Sequence, residues 1–488
     1  MDRTKRTFWL WAGAGLCAGL LLRLWFVVHL PLIDGDSLIY GGIARNWLQR
    51  GVYGFSPGHA PGSIDPTLIR LPGYPLFLAA CFFLFGMEHY HAVMFVQVGA
   101  DLATCWLASA LAGRLFGRRA ALVVLWLAAL CPFTASYTAV PLTETLVLTT
   151  IALAFYGFLR WQEAGQGISR WLGVIAAAAA GSLLLRPEQG LLAAAVVPAM
   201  AWRSLSSPKG RRDPWRSGVP AAVAALLIVL PLVPWTVRNW NTFHVVQPLV
   251  PKYATDPGEV SPAGFGRWYR TWGIEFASTE DFYWNYDGNR MDFAGLPPRA
   301  YDDGSPANSG ANSLRSRTAS LFEDYNVRTH ATRPIDSRFA ALAEERVHAH
   351  PVLYYVGLPV ARLLNMTLRP RTEMMDVPLD WWRWQEYGAK TAFAAAYAAL
   401  NLAYLGIGLA GFLRWRRQRW LSASDQQPFR ELAFAMAATI ILRCALLLTL
   451  DNSEPRYTLE FFPVLFVWAG ALFASPAPAA SADEAAGR

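Results

Sequence analysis

Long apolar runs separated by short polar loops dominate this chain. The first spans residues 8–30 and follows a basic start, Asp2-Arg3-Thr4-Lys5-Arg6. It is too long for the core of a signal peptide, and no small-residue cleavage site follows it. It is therefore read as an uncleaved first span with a cytoplasmic N-terminus. Arg23, in its outer half, either snorkels to the interface or faces the bundle interior. Further runs cover 91–112, 120–133, 142–160, 171–185, 190–202, 219–235, 389–413, 432–450 and 461–473. The runs are continuous rather than alternating, which excludes a transmembrane barrel and leaves a helical bundle. Several fall short of the roughly 20 residues of a full span, and Pro132, Pro141, Pro187, Pro198 and Pro231 mark ends or kinks.

Loop charge sets the orientation. The basic clusters at 114–119, at 203–216 and at Arg414-Trp-Arg416-Arg417-Gln-Arg419 are placed inside. With that parity, the short apolar stretches 72–85 and 351–368 are read as re-entrant or surface helices. The expected fold is an all-α polytopic membrane protein of about 10–13 transmembrane helices.

The segment 239–350 is polar, rich in Gly, Pro, Asn and Asp, and long enough for an external domain, α+β or irregular, inserted late in the bundle. Its aromatic first half, Phe265 to Tyr286, either lines a sugar or acceptor cleft or forms that domain's core. Its second half predicts a helix capped by Asp336, with Phe339, Leu342, Ala343 and Val347 on the apolar face. The expected organisation is a membrane module over 1–238 whose first external loop spans 31–71, the external domain 239–350, a second membrane module 351–474, and a disordered cytoplasmic tail 475–488.

Composition agrees with this picture. Hydrophobic residues make up 54% and charged residues 16%, which excludes a string of soluble domains. A net charge of +8 is explained by basic loops that orient the chain, so no nucleic-acid partner is expected. Cys17, Cys81, Cys105, Cys131 and Cys444 lie in apolar stretches with neither metal-ligand nor disulfide spacing. No internal repeat is visible, which gives no support to an inverted-repeat transporter.

The candidate chemistry gathers on the outer face. Parity places Asp34, Asp36, Arg70, Glu144, Arg186, Glu188, Arg238, Glu454 and Arg456 there, at span ends where ionisable groups are costly and tend to mark function. Asp34 and Asp36 open the first external loop. Behind them Ile39, Ile43, Trp47 and Leu48 fall on one helix face. Each residue also has a structural reading: Asp34 in a turn, Asp36 or Glu188 capping the next helix, Arg238 anchoring a span end. His89, His91, His348 and His350 lack an acidic third ligand at a defined spacing, so no metal site is assigned.

Six short motifs add a resemblance. Asp36-Ser-Leu-Ile-Tyr40 with Ile43-Ala-Arg-Asn46 and Gly51-Val-Tyr-Gly-Phe-Ser56, then Arg70-Leu-Pro-Gly-Tyr74-Pro75, are the first two. Pro141-Leu-Thr-Glu144, Leu185-Arg186-Pro-Glu188, Pro234-Trp-Thr-Val-Arg238-Asn239 and Glu454-Pro-Arg456-Tyr457 follow. In this order they resemble segments of the polyprenyl-phosphate-sugar-dependent glycosyltransferases, the superfamily of protein O-mannosyltransferases and lipid A aminoarabinose transferases. The resemblance runs over 34–239 and 344–463 and leaves 253–333 unmatched.

That resemblance implies a C-type glycosyltransferase fold in the cytoplasmic membrane, a polyprenyl-phosphate sugar donor, and a lipid, glycan or protein acceptor. It implies Asp36 as catalytic base. Arg456, Arg238, Arg186 and Arg70 would bind the donor phosphate, with Asp34, Tyr40, Tyr74, Glu144, Glu188 and Tyr457 supporting them or the acceptor. No cofactor is required. Many relatives carry Asp-Glu where this chain has Asp36-Ser37, so neither a paired-carboxylate nor a divalent-metal mechanism is supported unless Asp34 substitutes. The alternatives from other classes are a lipid or saccharide transporter or flippase, and a non-catalytic envelope assembly protein.

Overall fold

The computed structural model describes residues 3–56, 63–206, 212–301, 313–421 and 429–474. The expected tail from 475, the Lys209 cluster and the Asp302–Ser309 stretch fall wholly or largely outside the described residues. The chain is an all-α polytopic membrane protein.

All ten apolar runs are helical. Five helices are long and apolar enough to cross a membrane: Lys5–His29, Tyr90–Phe116, Pro214–Phe243, Ala389–Arg417 and Pro455–Phe473. The pair Arg118–Ala129 and Pro132–Ala139 passes the same test only when taken together and is bent by 46° at the break before Pro132, as a broken span or a re-entrant loop is. The other four runs, in helices Glu144–Glu163, Arg170–Leu185, Gly190–Ser206 and Arg430–Leu447, are too short or too polar by the same measure. Loop charge therefore counts more spans than helix length alone supports. The excess lies where charged residues sit at helix ends, and those ends build the site below. The apolar stretch Gly73–Phe85 is a 13-residue helix. The stretch from 351 is helical throughout, a π-helical turn Leu353–Gly357 running into helix Leu358–Leu368.

Helix Tyr90–Phe116 is the hub and packs on helices Arg118–Ala129 and Glu144–Glu163. Arg23 faces the bundle interior. It is fully buried, and its Nε donates to Asp101 at 2.7 Å. A second guanidinium nitrogen reaches the backbone carbonyls of Gly19 and Ala129 at 2.8 and 2.7 Å. A buried charge is tolerated because it is paired and its other donors are satisfied.

The one strand pair among the described residues, Gly54–Phe55 with Asp65–Pro66, lies in the loop between helices Asp36–Arg50 and Gly73–Phe85. Within the described part of 239–350 there are helices and irregular segments only. A separate apolar core holds that part together, with Phe265, Trp268, Tyr269, Trp272, Phe282 and Tyr286 packed against Phe322 and Phe339. These aromatics are core rather than cleft lining. The expected cap is corrected: helix Arg333–Ala349 is capped by Thr332. Asp336 instead accepts the Gly264 and Phe265 N–H groups, both at 2.9 Å, tying helix Ala263–Arg270 to it. Proline at 334 moves the helix start upstream, which puts Asp336 inside the helix. Trp268 is completely buried at the centre of this core. Trp268→Ala is expected to cost about 3–5 kcal/mol, seen as protease cleavage within 263–349 under conditions where the wild type resists.

Candidate functional site

Helix starts and helix breaks deliver the charges to one place. Gly35 takes a left-handed backbone, φ 51°, and turns the chain so that helix Asp36–Arg50 begins at Asp36. The Asp36 side chain makes no capping bond. Glu144 likewise opens helix Glu144–Glu163. Both carboxylates sit where unpaired N–H groups and the helix dipole favour negative charge. Arg70 lies just before helix Gly73–Phe85, and Arg186 lies in the break that Pro187 imposes after helix Arg170–Leu185. Arg456 follows Pro455 in the tight turn Pro455–Phe461 that leads into the last span.

Asp36 is gripped from both sides. One oxygen accepts from Arg70 at 2.7 Å and the other from Arg456 at 3.1 Å. Arg456 also faces Glu144 at 3.6 Å and pairs with Glu454. Arg186 pairs with Glu144 at 2.9 Å and with Glu188 at 2.7 Å. Arg443 closes the far end, 2.9 Å from Glu460 and 3.7 Å from Glu188. The side chains of Asp36, Arg70 and Arg456 are 27%, 21% and 17% exposed, as Glu188 is at 21%, against 3% for Glu144 between them.

Two tyrosines underpin the Asp36 end. The Arg70 guanidinium lies over the Tyr40 ring at 5.6 Å, and Tyr40 meets Tyr74 edge to face. The Tyr74 hydroxyl donates to Gln97 at 2.7 Å, whose amide donates to the Val140 carbonyl, also at 2.7 Å. The Tyr457 ring stacks beneath Arg186 at 5.5 Å.

The electrostatics separate two carboxylates that share Arg456. Burial pushes Asp36 up, but the guanidiniums of Arg456 and Arg70 outweigh it and hold the carboxyl at about 2. Burial pushes Glu454 up to about 7 against the pull of Arg456, with Asp36 and Glu144 adding to the rise. Glu188 is held at about 2, because Arg186 and Arg443 overcome its burial.

The structure thus brings Asp36, Arg70, Glu144, Arg186, Glu188, Arg456 and Tyr457 into one network, with Tyr40 and Tyr74 behind it. Two expected members stay out. Asp34 accepts the Gly35 N–H at 2.7 Å and serves the turn. Arg238 donates to the Thr67 and Tyr53 carbonyls, both at 2.7 Å, and lies 5.3 Å from the rings of Tyr53, Trp235 and Phe243. It staples the loop after the first helix to the end of its span and makes no contact with Asp36, Glu144 or Glu188. Arg238→Ala is expected to lower stability by roughly 1–3 kcal/mol, read as an earlier thermal unfolding midpoint. Its effect on affinity for a phosphodiester should be much smaller than that of losing Arg456.

Two network members were not singled out from the sequence: Arg443 and Glu460. Arg443 and Glu460 each interrupt an apolar run, Ile440-Ile-Leu-Arg443-Cys444 and Leu459-Glu460-Phe461-Phe462. An ionisable residue inside such a run is the signal that finds them. Among the described residues no three His, Cys, Asp or Glu side chains gather closely enough to hold a metal ion. Ser37 is fully buried and its hydroxyl finds no partner.

The structure is a helical membrane bundle in which arginines and carboxylates from helix ends meet around Asp36. Residues 66–236 match the family model described as dolichyl-phosphate-mannose-protein mannosyltransferase, which bears out the resemblance drawn from the motifs over that stretch. Two solved structures are similar. One is ArnT from Cupriavidus metallidurans in the apo state, at 15% identity and TM-score 0.35, covering 96% of this chain and 78% of that one. The other is the same protein bound to undecaprenyl phosphate, at 14% identity and TM-score 0.36, covering 95% and 77%. No curated protein matches the sequence.

Proposed function

We propose that this protein is a glycosyltransferase that moves a sugar from a polyprenyl-phosphate donor to a hydroxyl or similar acceptor at the outer face of the cytoplasmic membrane. The observation that carries the reading is the Asp36 carboxylate held between Arg70 and Arg456 at one end of the network. The motif order and the match of residues 66–236 support it.

The chemistry follows from the competition for those arginines. With Arg70 and Arg456 both on it, Asp36 is ionised but a weak base. The phosphate of the donor competes for the same guanidiniums through charge-assisted, forked hydrogen bonds. As they turn to the phosphate, Asp36 loses its counter-charges and its basicity rises. It then accepts the acceptor's proton as the acceptor oxygen attacks the anomeric carbon. The bond from that carbon to the phosphate oxygen breaks, and its electron pair leaves with the polyprenyl phosphate. Charge grows on the phosphate as this happens, and Arg456, Arg70 and Arg186 are placed to stabilise it. Direct displacement inverts the anomeric centre and needs no covalent enzyme intermediate. The polyprenyl chain stays in lipid, alongside the exposed apolar faces of helices Gly73–Phe85 and Leu358–Leu368.

The test is a panel of polyprenyl-phosphate sugars, hexosyl and pentosyl, each labelled in the sugar and offered to the protein in liposomes. For at least one donor, label should leave the lipid for an acceptor or for water. Retention of all label on the lipid across the panel contradicts the reading.

A further inference from the structure

The network carries more negative than positive groups. The carboxyls of Asp36, Glu144, Glu188, Glu454 and Glu460 share the guanidiniums of Arg70, Arg186, Arg443 and Arg456. A site short of positive charge is a poor receiver for an anion unless one of its acids gives up its charge. Glu454 is the acid placed to do so. It is 3% exposed, one of its oxygens pairs with Arg456, and the other is buried without a well-formed hydrogen bond. The guanidinium it pairs with is the one that also reaches Asp36.

Resting on the phosphate-donor reading above, we propose that Glu454 takes up a proton when the donor phosphate binds, releasing Arg456 to the phosphate. Glu454 is a positioning residue: it acts through Arg456 and need not touch the substrate. Its surroundings are Arg456 and Tyr457 next in the chain, Asp36 and Glu144 across the site, and Tyr137. Arg371 lies behind the turn, but it is engaged with Asn401, the Pro455 carbonyl and Thr458, so it does not neutralise Glu454. Unliganded, Glu454 is balanced between its charged and neutral forms near neutrality. A bound phosphate adds negative charge and draws Arg456 away. Both changes favour the neutral acid. The need grows during transfer, because the donor is a singly charged diester and the departing polyprenyl phosphate is a monoester with a second ionisation.

The sign follows from linkage. Binding that takes up a proton weakens as pH rises past the free-state ionisation of the group. For wild type, affinity for a phosphodiester should fall by about tenfold between pH 6 and pH 8. The probe is farnesyl methyl phosphate, whose own charge is constant over that range. Calorimetry on the full-length wild type, in buffers of differing ionisation heat, should show net proton uptake at pH 7.5. Glu454→Gln should bind at pH 8 about as tightly as wild type does at pH 6, with no pH dependence and no uptake. Binding by wild type that is independent of pH, with no proton uptake, overturns this inference and leaves the phosphate site standing. Persistence of the pH dependence in Glu454→Gln also overturns it, since the proton then goes elsewhere. If wild type does not bind the probe at any pH, the phosphate-site reading falls and the inference with it.

Discussion

Asp36→Asn is expected to lower sugar transfer by about two to four orders of magnitude, the usual contribution of a positioned general base. Affinity for a phosphodiester should hold or improve in the same variant, because Arg70 and Arg456 are no longer claimed by a charged carboxylate. The split between lost turnover and retained binding separates this role from helix capping. Asn caps a helix about as well as Asp, so a capping Asp36 would tolerate the change. The structure already argues against capping: helix Asp36–Arg50 starts after Gly35, and the Asp36 carboxylate is turned to the arginines. Turnover within a few-fold of wild type in Asp36→Asn would remove Asp36 as the base.

Arg456→Gln is the second large effect, and it should fall on binding, turnover and stability together. Losing a donor aimed at developing charge typically lowers turnover by about 10²–10³. Arg456 also holds Asp36, faces Glu144 and pairs with Glu454, so removing it leaves buried acids without a counter-charge. Breaking a buried pair from one side costs roughly 3–5 kcal/mol. Lowering the pH should recover part of the lost stability as Glu454 becomes neutral. The sign is set by its raised ionisation: with Arg456 gone the group is pushed higher still, so stability is highest at low pH and falls as pH rises from the ordinary glutamate range upward. Arg456→Lys should rescue little turnover, because a point charge cannot reproduce a fork that reaches Asp36 and Glu454 at once. Thermal unfolding and the single-turnover rate, measured across pH, separate the two losses. A full-rate Arg456→Gln would contradict the assignment of phosphate binding.

The bundle was legible because apolar runs in lipid must become helices, whatever packs beside them. Orientation came from loop charge. Span number was harder, since Glu144 and Arg186 sit at the mouths of short or polar helices. The same charges that depress a hydropathy average build the site. Motif order brought Asp36, Arg70, Glu144, Arg186 and Arg456 together across the chain. It also set Arg238 beside them, because a sequence shows that an arginine ends a span but not that two loop carbonyls already engage it. It passed over Arg443 and Glu460, which lie within apolar runs and find each other only through a side-chain pair between helix Arg430–Leu447 and the turn Pro455–Phe461. Asp336 had the composition of a cap and the position of a cross-link. Only the packing of helix Ala263–Arg270 against it distinguishes the two.

The central claim is that the bond between sugar and phosphate is the one that breaks. The most direct measurement uses a polyprenyl-phosphate sugar labelled separately in the sugar and in the phosphorus, with the protein in liposomes. The account predicts that the sugar label moves to the acceptor with inverted anomeric configuration. The phosphorus label should stay in the lipid fraction as polyprenyl monophosphate, one for one. If both labels leave the lipid together, or both remain on an intact donor that has only crossed the bilayer, the account is contradicted.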